Sequence, residues 1–133
     1  MIEQTLSIIK PDAVGRNLEN KIKNLFKKNN LIISKVKKVK ISKEEASEFY
    51  KVHQTKPFYT DLYNYLSSGP IVAMILEGED AISKNRQLMG STDPKKAEEG
   101  TLRKMYGLSI DKNSIHGSDS IENAKIEIDF FFK

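Results

Sequence analysis

Residues 71–76 are six consecutive apolar side chains, and they constrain the fold more than any other stretch of the chain. Ser68-Gly69-Pro70 precede the run and Glu77-Gly78 follow it, so turn-forming and polar residues bound it on both sides. A short apolar run bounded in this way is typical of a β-strand that is buried on both faces. We therefore predict that residues 71–76 form a central strand of a sheet that helices cover.

Hydrophobic periodicity and turn residues predict the other elements. Before the central strand we expect a strand at 5–9, then a helix that begins at an N-cap, Asn17, and ends at 29–30. A second strand should follow at 31–41, with a bulge near Val36. A Ser42–Glu45 capping box should begin the next helix, which ends at about Tyr50, and a further helix should carry an apolar stripe at 58, 62, 65 and 66. After the central strand we expect a helix at 80–89 that ends at Gly90, followed by a polar loop at 91–100. A last helix should begin at 119–120, with Ile121, Ala124 and Ile128 facing the core, and a fourth strand should lie at 130–132. This order predicts an α+β sandwich.

The chain has 133 residues and no cysteine. This length fits a single domain, 1–133, with a core of its own, and the lack of cysteine excludes disulfides and thiolate zinc sites. No apolar run approaches the roughly 20 residues that a membrane span requires. The N-terminus lacks the pattern of a signal peptide, so we expect a cytoplasmic protein.

The net charge of +4 is partly local, because Lys35, Lys37, Lys38 and Lys40 lie in one segment. They alternate with apolar residues, which favours a strand with a solvated face, or an edge that lysines protect from aggregation, over a nucleic-acid-binding stripe. A positive surface would also attract polyphosphate ligands, so charge alone does not identify the partner.

His116 lies within residues 113–120 (NSIHGSDS), a run of turn formers and helix-capping residues, and the chain has one other histidine, His53. An imidazole held by such a turn is a candidate nucleophile or acid/base group. The plainer alternative is a histidine on a surface turn.

Four further polar residues fall where loops are expected to gather. Lys10 ends the first strand before Pro11-Asp12, and Arg86, Thr92 and Arg103 accompany the polar loop. Cationic groups and a hydroxyl suit a triphosphate, since they donate to anionic oxygens. The chain contains neither a P-loop nor a dinucleotide fingerprint, so phosphate recognition would depend on side chains. With a nucleophilic histidine nearby, this set suggests phosphoryl transfer through a phosphohistidine.

From Thr5 to Phe132 the sequence closely resembles the nucleoside diphosphate kinases. Seven segments match in order and spacing, at residues 5–13, 57–58, 68–70, 84–86, 90–94, 100–103 and 113–120. The resemblance implies a ferredoxin-like sandwich with a four-stranded antiparallel sheet covered by helices. It also implies a ping-pong reaction in which His116 takes the terminal phosphate of a nucleoside triphosphate and passes it to a nucleoside diphosphate.

The resemblance assigns the remaining site residues by position. Lys10 and Asn113 would contact the ribose hydroxyls, with Lys10 also near the transferred phosphate; Arg86, Thr92 and Arg103 would hold the phosphates, and Phe58 would stack on the base. Glu127 would orient His116 with support from Ser118, and Tyr50 would line the site. From the residues alone, Phe58 is more typical of core and Glu127 of an exposed helix charge.

The resemblance further implies Mg²⁺ carried by the nucleotide phosphates, not by protein ligands. Asp119 could approach this ion through water, although we favour a capping role at the last helix. The family also implies a homo-oligomer, a hexamer or a tetramer of dimers. Met105 departs from the aspartate that many members carry, and Lys104 adds a charge. A silent relative with a binding role is the alternative to an enzyme, but it would have lost site residues and this chain has not.

Overall fold

A four-stranded antiparallel sheet with strand order β2-β3-β1-β4 organises the chain. The computed structural model describes residues 2–109 and 112–132, with the backbone alone for Val52. The strands are β1 (Ile2–Ile9), β2 (Ile32–Val39), β3 (Ile71–Glu79) and β4 (Ile115–Gly117). The apolar run lies in β3, between β2 and β1, and its side chains are buried on both faces of the sheet. The prediction of a central strand is confirmed.

Helices cover both faces of this sheet. Over the described residues they are α1 (Pro11–Gly15), α2 (Glu19–Lys28), α3 (Lys43–Phe49), α4 (Tyr59–Leu66), α5 (Ala81–Met89), α6 (Leu102–Tyr106) and α7 (Ile121–Phe132), with 3-10 turns at Lys51–His53 and Pro94–Lys96. One core cluster includes Phe26 and Met89, from α2 and α5. The other includes Phe49, Leu66 and Phe131, from α3, α4 and α7. The α+β sandwich with a four-stranded antiparallel sheet is therefore as predicted.

Local signals located several boundaries correctly. The hydroxyl of Ser42 accepts from Glu45 N at 3.1 Å, and the Glu45 carboxylate accepts from Ser42 N at 3.0 Å, so the capping box forms at α3. The pairing of β2 with β3 slips between Ile33 and Lys35, which confirms a bulge, at Ser34, two residues before the expected Val36. Asn17, the expected N-cap of α2, instead has a φ of 59°, and Leu18 occupies the cap position.

The fourth strand is not where the sequence analysis put it. Residues 130–132 end α7, and β4 is formed by the three residues around His116, which pair with β1 through Ile9↔Ile115, Ile8↔His116 and Ser7↔Gly117. Phe131 packs in the core against Phe49, with ring centroids 5.4 Å apart, so this terminal aromatic residue belongs to the buried face of α7. Ile121 was expected inward but is 48% exposed.

The lysine-rich segment lies on β2, which is an edge strand of the sheet. Most side chains of β2 are exposed, in agreement with the solvated edge that the sequence favoured. Among the described residues, no helix is both long and apolar enough to cross a membrane.

Candidate active site

A cleft of about 940 Å³ opens beside β4 and the polar loop. It is lined by nine of the ten side chains selected from the sequence, namely Lys10, Tyr50, Phe58, Arg86, Thr92, Arg103, Asn113, His116 and Glu127. The tenth, Ser118, is fully buried and reaches the cleft through a hydrogen bond to Glu127. Residues that are distant in the sequence thus come together in one cavity.

His116 is presented by a strand and not by the turn that the sequence suggested. Its neighbours across the ladder hold the backbone, and its Nε2 lies 2.8 Å from Oε1 of Glu127 on α7. A carboxylate can only accept, so this contact places the hydrogen on Nε2 and leaves the lone pair on Nδ1. Ser118 Oγ donates to the same carboxylate oxygen at 2.9 Å. The imidazole therefore has a defined orientation and tautomer.

The strand approaches α5 closely at Gly117, next to the histidine. A Cβ at this position would lie 2.3 Å from Asn85 Nδ2 and 2.5 Å from Met89 Sδ. Both distances are well inside van der Waals contact, so a side chain at this position would force Asn85 and Met89 to move. Glycine at 117 allows α5 to pack tightly behind the histidine.

Aromatic rings surround the histidine on the side of α3. The centroid of Phe49 lies 5.2 Å from that of His116, and the centroid of Tyr50 lies 6.2 Å away, both edge-on. Burial, and secondarily the negative charge of Glu127, raises the pKa of Tyr50 well above its usual range. The phenol therefore stays protonated and can donate a hydrogen bond into the cleft.

Lys10 and Asn113 form a buried pair at the end of β1. Lys10 Nζ donates to Asn113 Oδ1 at 2.9 Å, and Asn113 Nδ2 donates to the carbonyl of Thr92 at 3.0 Å. Only 4% of Lys10 is exposed. This chain of contacts fixes an ammonium group and an amide beside the exposed Thr92 of the polar loop.

Arg103 provides a second buried cation. Its Nη1 donates to the Gly90 carbonyl at 3.1 Å and its Nη2 to the Ile115 carbonyl at 3.0 Å, which ties α6 to the end of α5 and to β4. Burial, with a smaller effect from the charge of Arg86, lowers the pKa of Arg103 to about 10. An anionic ligand would stabilise the charged guanidinium, because its negative charge offsets both the cost of burial and the repulsion from Arg86.

Phe58 lies at the mouth of the cleft and is 41% exposed. Lys56 Nζ lies 5.7 Å from the centroid of its ring, and the His53 ring lies 6.1 Å from it. A large apolar side chain with a free face offers a stacking surface, whereas a core residue would be enclosed. The structure thus contradicts the plain interpretation of Phe58 as core.

His53, to which the sequence assigns no role, lines the same cleft. Burial lowers its pKa, and the positive charges of Lys56 and His116 act in the same direction. In the sequence His53 lies three residues after Tyr50 and shortly before Phe58, and this position was the one sign that it belongs to the site. The 3-10 turn that directs its side chain into the cleft could not be predicted, because it has no clear pattern in the sequence.

Asp119 does not provide the helix-capping bond that the sequence favoured. Ser120 Oγ accepts from Asn123 N at 3.1 Å at the start of α7, while Asp119 Oδ1 accepts from Asn123 Nδ2 at 2.6 Å. This side-chain hydrogen bond lowers the pKa of Asp119, which therefore remains a carboxylate at the edge of the cleft. Met105 is 47% exposed on α6 and is absent from the cleft lining.

The cleft combines an oriented imidazole, the buried cations Lys10 and Arg103 and the exposed ring of Phe58. Such a site suits a molecule with an anionic polyphosphate at one end and a flat ring at the other. The imidazole has a lone pair to attack phosphorus, and the cations neutralise the charge that develops during transfer. Fold and site together define a phosphotransferase.

Comparison with known proteins identifies its kind. The sequence matches the family model described as nucleoside diphosphate kinase over residues 3–133. It is 57% identical over 132 residues to the nucleoside diphosphate kinase of Campylobacter jejuni, covering 99% of this chain and 96% of that protein. It is 55% identical over 131 residues to that of Nitratiruptor sp., covering 98% and 96%. The crystal structure of the Aquifex aeolicus nucleoside diphosphate kinase superimposes with a TM-score of 0.97 at 41% identity, covering 100% of this chain and 96% of that one.

The chain belongs to the nucleoside diphosphate kinase family. It is a phosphotransferase that moves the terminal phosphate of a nucleoside triphosphate to a nucleoside diphosphate.

Proposed function

We propose that His116 carries the phosphate during this transfer, through attack of its Nδ1 on the terminal phosphorus. The observation that carries this proposal is the 2.8 Å contact between His116 Nε2 and Glu127 Oε1, which supports Nδ1 as the nucleophilic nitrogen. In the first half-reaction an Nδ1–P bond forms and the bond from that phosphorus to the bridging oxygen breaks, releasing the diphosphate. The Nε2 proton stays shared with Glu127. A second diphosphate then takes the phosphate by the reverse step.

Arg86, Thr92 and Arg103 would hold the phosphates, with Lys10 near the one that is transferred. The buried position of Lys10 and Arg103 supports this role, because a preorganised cation in a site of low dielectric stabilises developing charge more than a solvated one does. Arg86 and Thr92 are exposed at the cleft and can adjust to the incoming chain of phosphates.

Lys10 and Asn113 would contact the ribose hydroxyls, and Phe58 would stack on the base. The Lys10–Asn113 hydrogen bond supports the first assignment, since it holds a donor and an acceptor side by side. The exposed ring of Phe58 supports the second. Stacking requires only a π face, so one site can accept purines and pyrimidines.

Mg²⁺ would enter with the nucleotide, bound to its phosphates, and would supply charge neutralisation at the phosphoryl oxygens. The donor set fits an ion bound in this way. Among the described residues no group of three carboxylate, histidine or cysteine side chains could hold a metal, whereas Asp119 is a single exposed carboxylate at the cleft and can contact a hydrated ion through water.

Incubation with ATP labelled on its terminal phosphate tests the proposal. We expect one phosphate per chain, labile in acid and stable in base, which is released on addition of any nucleoside diphosphate. His116→Ala should take up none. The matched control is His53→Ala, because the chain has only these two histidines; it should still be labelled to one phosphate per chain at saturating ATP. Equal labelling of His116→Ala and wild type would overturn the assignment.

The protein would act in the cytoplasm as a homo-oligomer of single-domain chains, 1–133, as a hexamer or a tetramer of dimers. Two exposed apolar side chains on the otherwise lysine-rich edge strand β2, Ile32 and Val36, support association. Light scattering coupled to chromatography distinguishes these states from a monomer. Nucleic acid would not be a main partner, and retention on DNA near physiological salt would contradict this.

A further inference from the structure

Asp12 belongs to the Lys-Pro-Asp segment, but no step of the transfer uses it. It lies in α1, two residues after the buried Lys10, and its side chain is only 5% exposed. Because a buried carboxylate is costly unless it is satisfied, its partners indicate what it does.

The carboxylate accepts hydrogen bonds from three side chains. Tyr65 Oη on α4 donates to Oδ1 at 2.5 Å, Ser114 Oγ donates to Oδ2 at 2.6 Å, and Arg16 Nη2 donates to Oδ2 at 3.2 Å. Tyr65 Oη also accepts from Asp12 N at 2.7 Å. Arg16 donates in addition to the carbonyl of Tyr106, at the end of α6. One side chain thus joins α1, α4 and the segment before β4.

The contact with Ser114 holds an unfavourable backbone conformation. Ser114 has a φ of 74°, in the left-handed region that residues other than glycine seldom adopt. It is fully buried, and its carbonyl accepts from Lys10 N at 2.9 Å. A turn of this kind persists when surrounding bonds hold it, and the Ser114 hydroxyl bonded to Asp12 is one of these.

The residues on either side of this turn belong to the cleft. Asn113 precedes Ser114 and accepts from Lys10 Nζ, and His116 follows two residues later on β4. Through Tyr65, Asp12 also contacts α4, whose N-cap residue is Phe58. The hydrogen-bond network therefore links α4 to the segment that carries Asn113 and His116.

We propose that Asp12 is a positioning residue for the nucleoside part of the substrate, acting through Ser114 on Asn113 and through Tyr65 on α4. This inference rests on the proposed function, in which Asn113 and Lys10 contact the ribose and Phe58 the base. Burial and the hydrogen bond to Asp12 raise the pKa of Tyr65, so its hydroxyl remains a donor across the working pH range. Asp12 does not line the cleft, and the inference gives it no part in the phosphate-transfer chemistry on His116.

The test compares two phosphoryl donors in Asp12→Asn and Tyr65→Phe. ATP requires the nucleoside contacts, whereas phosphoramidate, a small donor without ribose or base, does not. For Asp12→Asn we expect the second-order rate of His116 phosphorylation by ATP to fall at least about tenfold, as for the loss of charge-assisted hydrogen bonds, while the rate with phosphoramidate changes less than about twofold. Tyr65→Phe should show the same selectivity with a smaller loss. Matched controls are Asp61→Asn and Tyr63→Phe on α4, where Asp61 is exposed and Tyr63 contacts the Tyr59 ring.

A loss of phosphorylation rate with ATP but not with phosphoramidate supports the inference. Recovery of the rate in Asp12→Asn at high ATP concentration also supports it, because the defect then lies in binding. Equal loss with both donors would show a structural role only, and loss with neither would show that Asp12 positions nothing; both results overturn the proposal. If Asp12→Asn does not fold, Tyr65→Phe, which removes one hydroxyl, provides the same comparison. Failure of wild type to accept phosphate from ATP would instead refute the proposed function.

Discussion

Glu127 and His116 face each other across the junction of α7 and β4, with 2.8 Å between the carboxylate oxygen and Nε2 of the ring. Both side chains are largely buried, at 15% and 18% exposure. Ser118 adds a third member to this arrangement, because its hydroxyl donates to Glu127 and accepts from Leu6 N at 3.3 Å. The nucleophile is thus held from behind by a network that begins in β1.

Replacing the carboxylate should slow the chemistry more than it weakens binding. In Glu127→Gln the neutral amide no longer favours the Nε2–H tautomer or the charge that develops on the phosphorylated ring. We expect the rate of phosphohistidine formation at saturating ATP to fall roughly 10–100-fold, as for other residues that orient a reacting group. Rapid-quench kinetics measures it. Glu122→Gln, on an exposed position of the same helix, should react at the wild-type rate; similar rates in both variants would contradict the orienting role.

Gly117→Ala should destabilise the fold by about 1–3 kcal/mol, because the new Cβ would overlap Asn85 and Met89. Urea unfolding followed by circular dichroism gives the difference. The control is Gly15→Ala at the end of α1, where a Cβ meets nothing within 4 Å. Unchanged stability of Gly117→Ala would mean that α5 can move away from β4.

Nucleotide binding should weaken as the pH rises through about 10, the value to which burial and Arg86 lower the pKa of Arg103. The sign follows from the charge: Arg103 is cationic below this pH and loses its attraction for phosphate above it. The same lowered pKa means that charging Arg103 costs folding free energy, a cost relieved as pH rises towards the value of a free arginine.

Calorimetric titration with ADP between about pH 8 and pH 11 checks this dependence. Lysines titrate in the same range, so the informative quantity is the difference between wild type and Arg103→Gln. The variant should bind more weakly at pH 8 and lose less affinity as the pH rises. Equal slopes for the two proteins would show that Arg103 does not bind phosphate.

Phe58→Ala should reduce affinity for all nucleotides alike, by about tenfold, since stacking on an aromatic ring is worth roughly 1–3 kcal/mol per base. Binding of ATP, GTP, CTP and UTP to the wild type and the variant provides the measurement. A loss confined to purines, or no loss at all, would contradict the stacking role.

Elements whose signals are local were predictable from the sequence. The run at 71–76 is apolar throughout, and Ser42 with Glu45 forms its capping box within four residues, so both were located correctly. β4 has three residues and no periodicity of its own; it is a strand because Ile9 and Ser7 pair with it, and this pairing is a long-range contact. The three phenylalanines at 130–132 predict a strand wrongly, because an apolar run alone does not distinguish a strand from a buried helix end.

The site residues could be predicted from the sequence, whereas some of the contacts that hold them could not. Lys10, Arg86, Thr92, Arg103 and His116 stood out by residue type and position, and the family resemblance added Asn113, Phe58, Tyr50, Ser118 and Glu127. The contacts of Asp12 were not predictable, because a carboxylate that joins Tyr65 and Ser114 depends on how α1, α4 and β4 meet in three dimensions.

Identification of the nitrogen that carries the phosphate tests the proposed role of His116 most directly. Phosphorus–proton correlation NMR on the phosphorylated protein, labelled with ¹⁵N at histidine, distinguishes Nδ1 from Nε2 and His116 from His53. We predict a single phosphorus resonance coupled to the ring of His116 at Nδ1, with Nε2 still protonated towards Glu127. A phosphate on Nε2 of His116, or on His53, would contradict it.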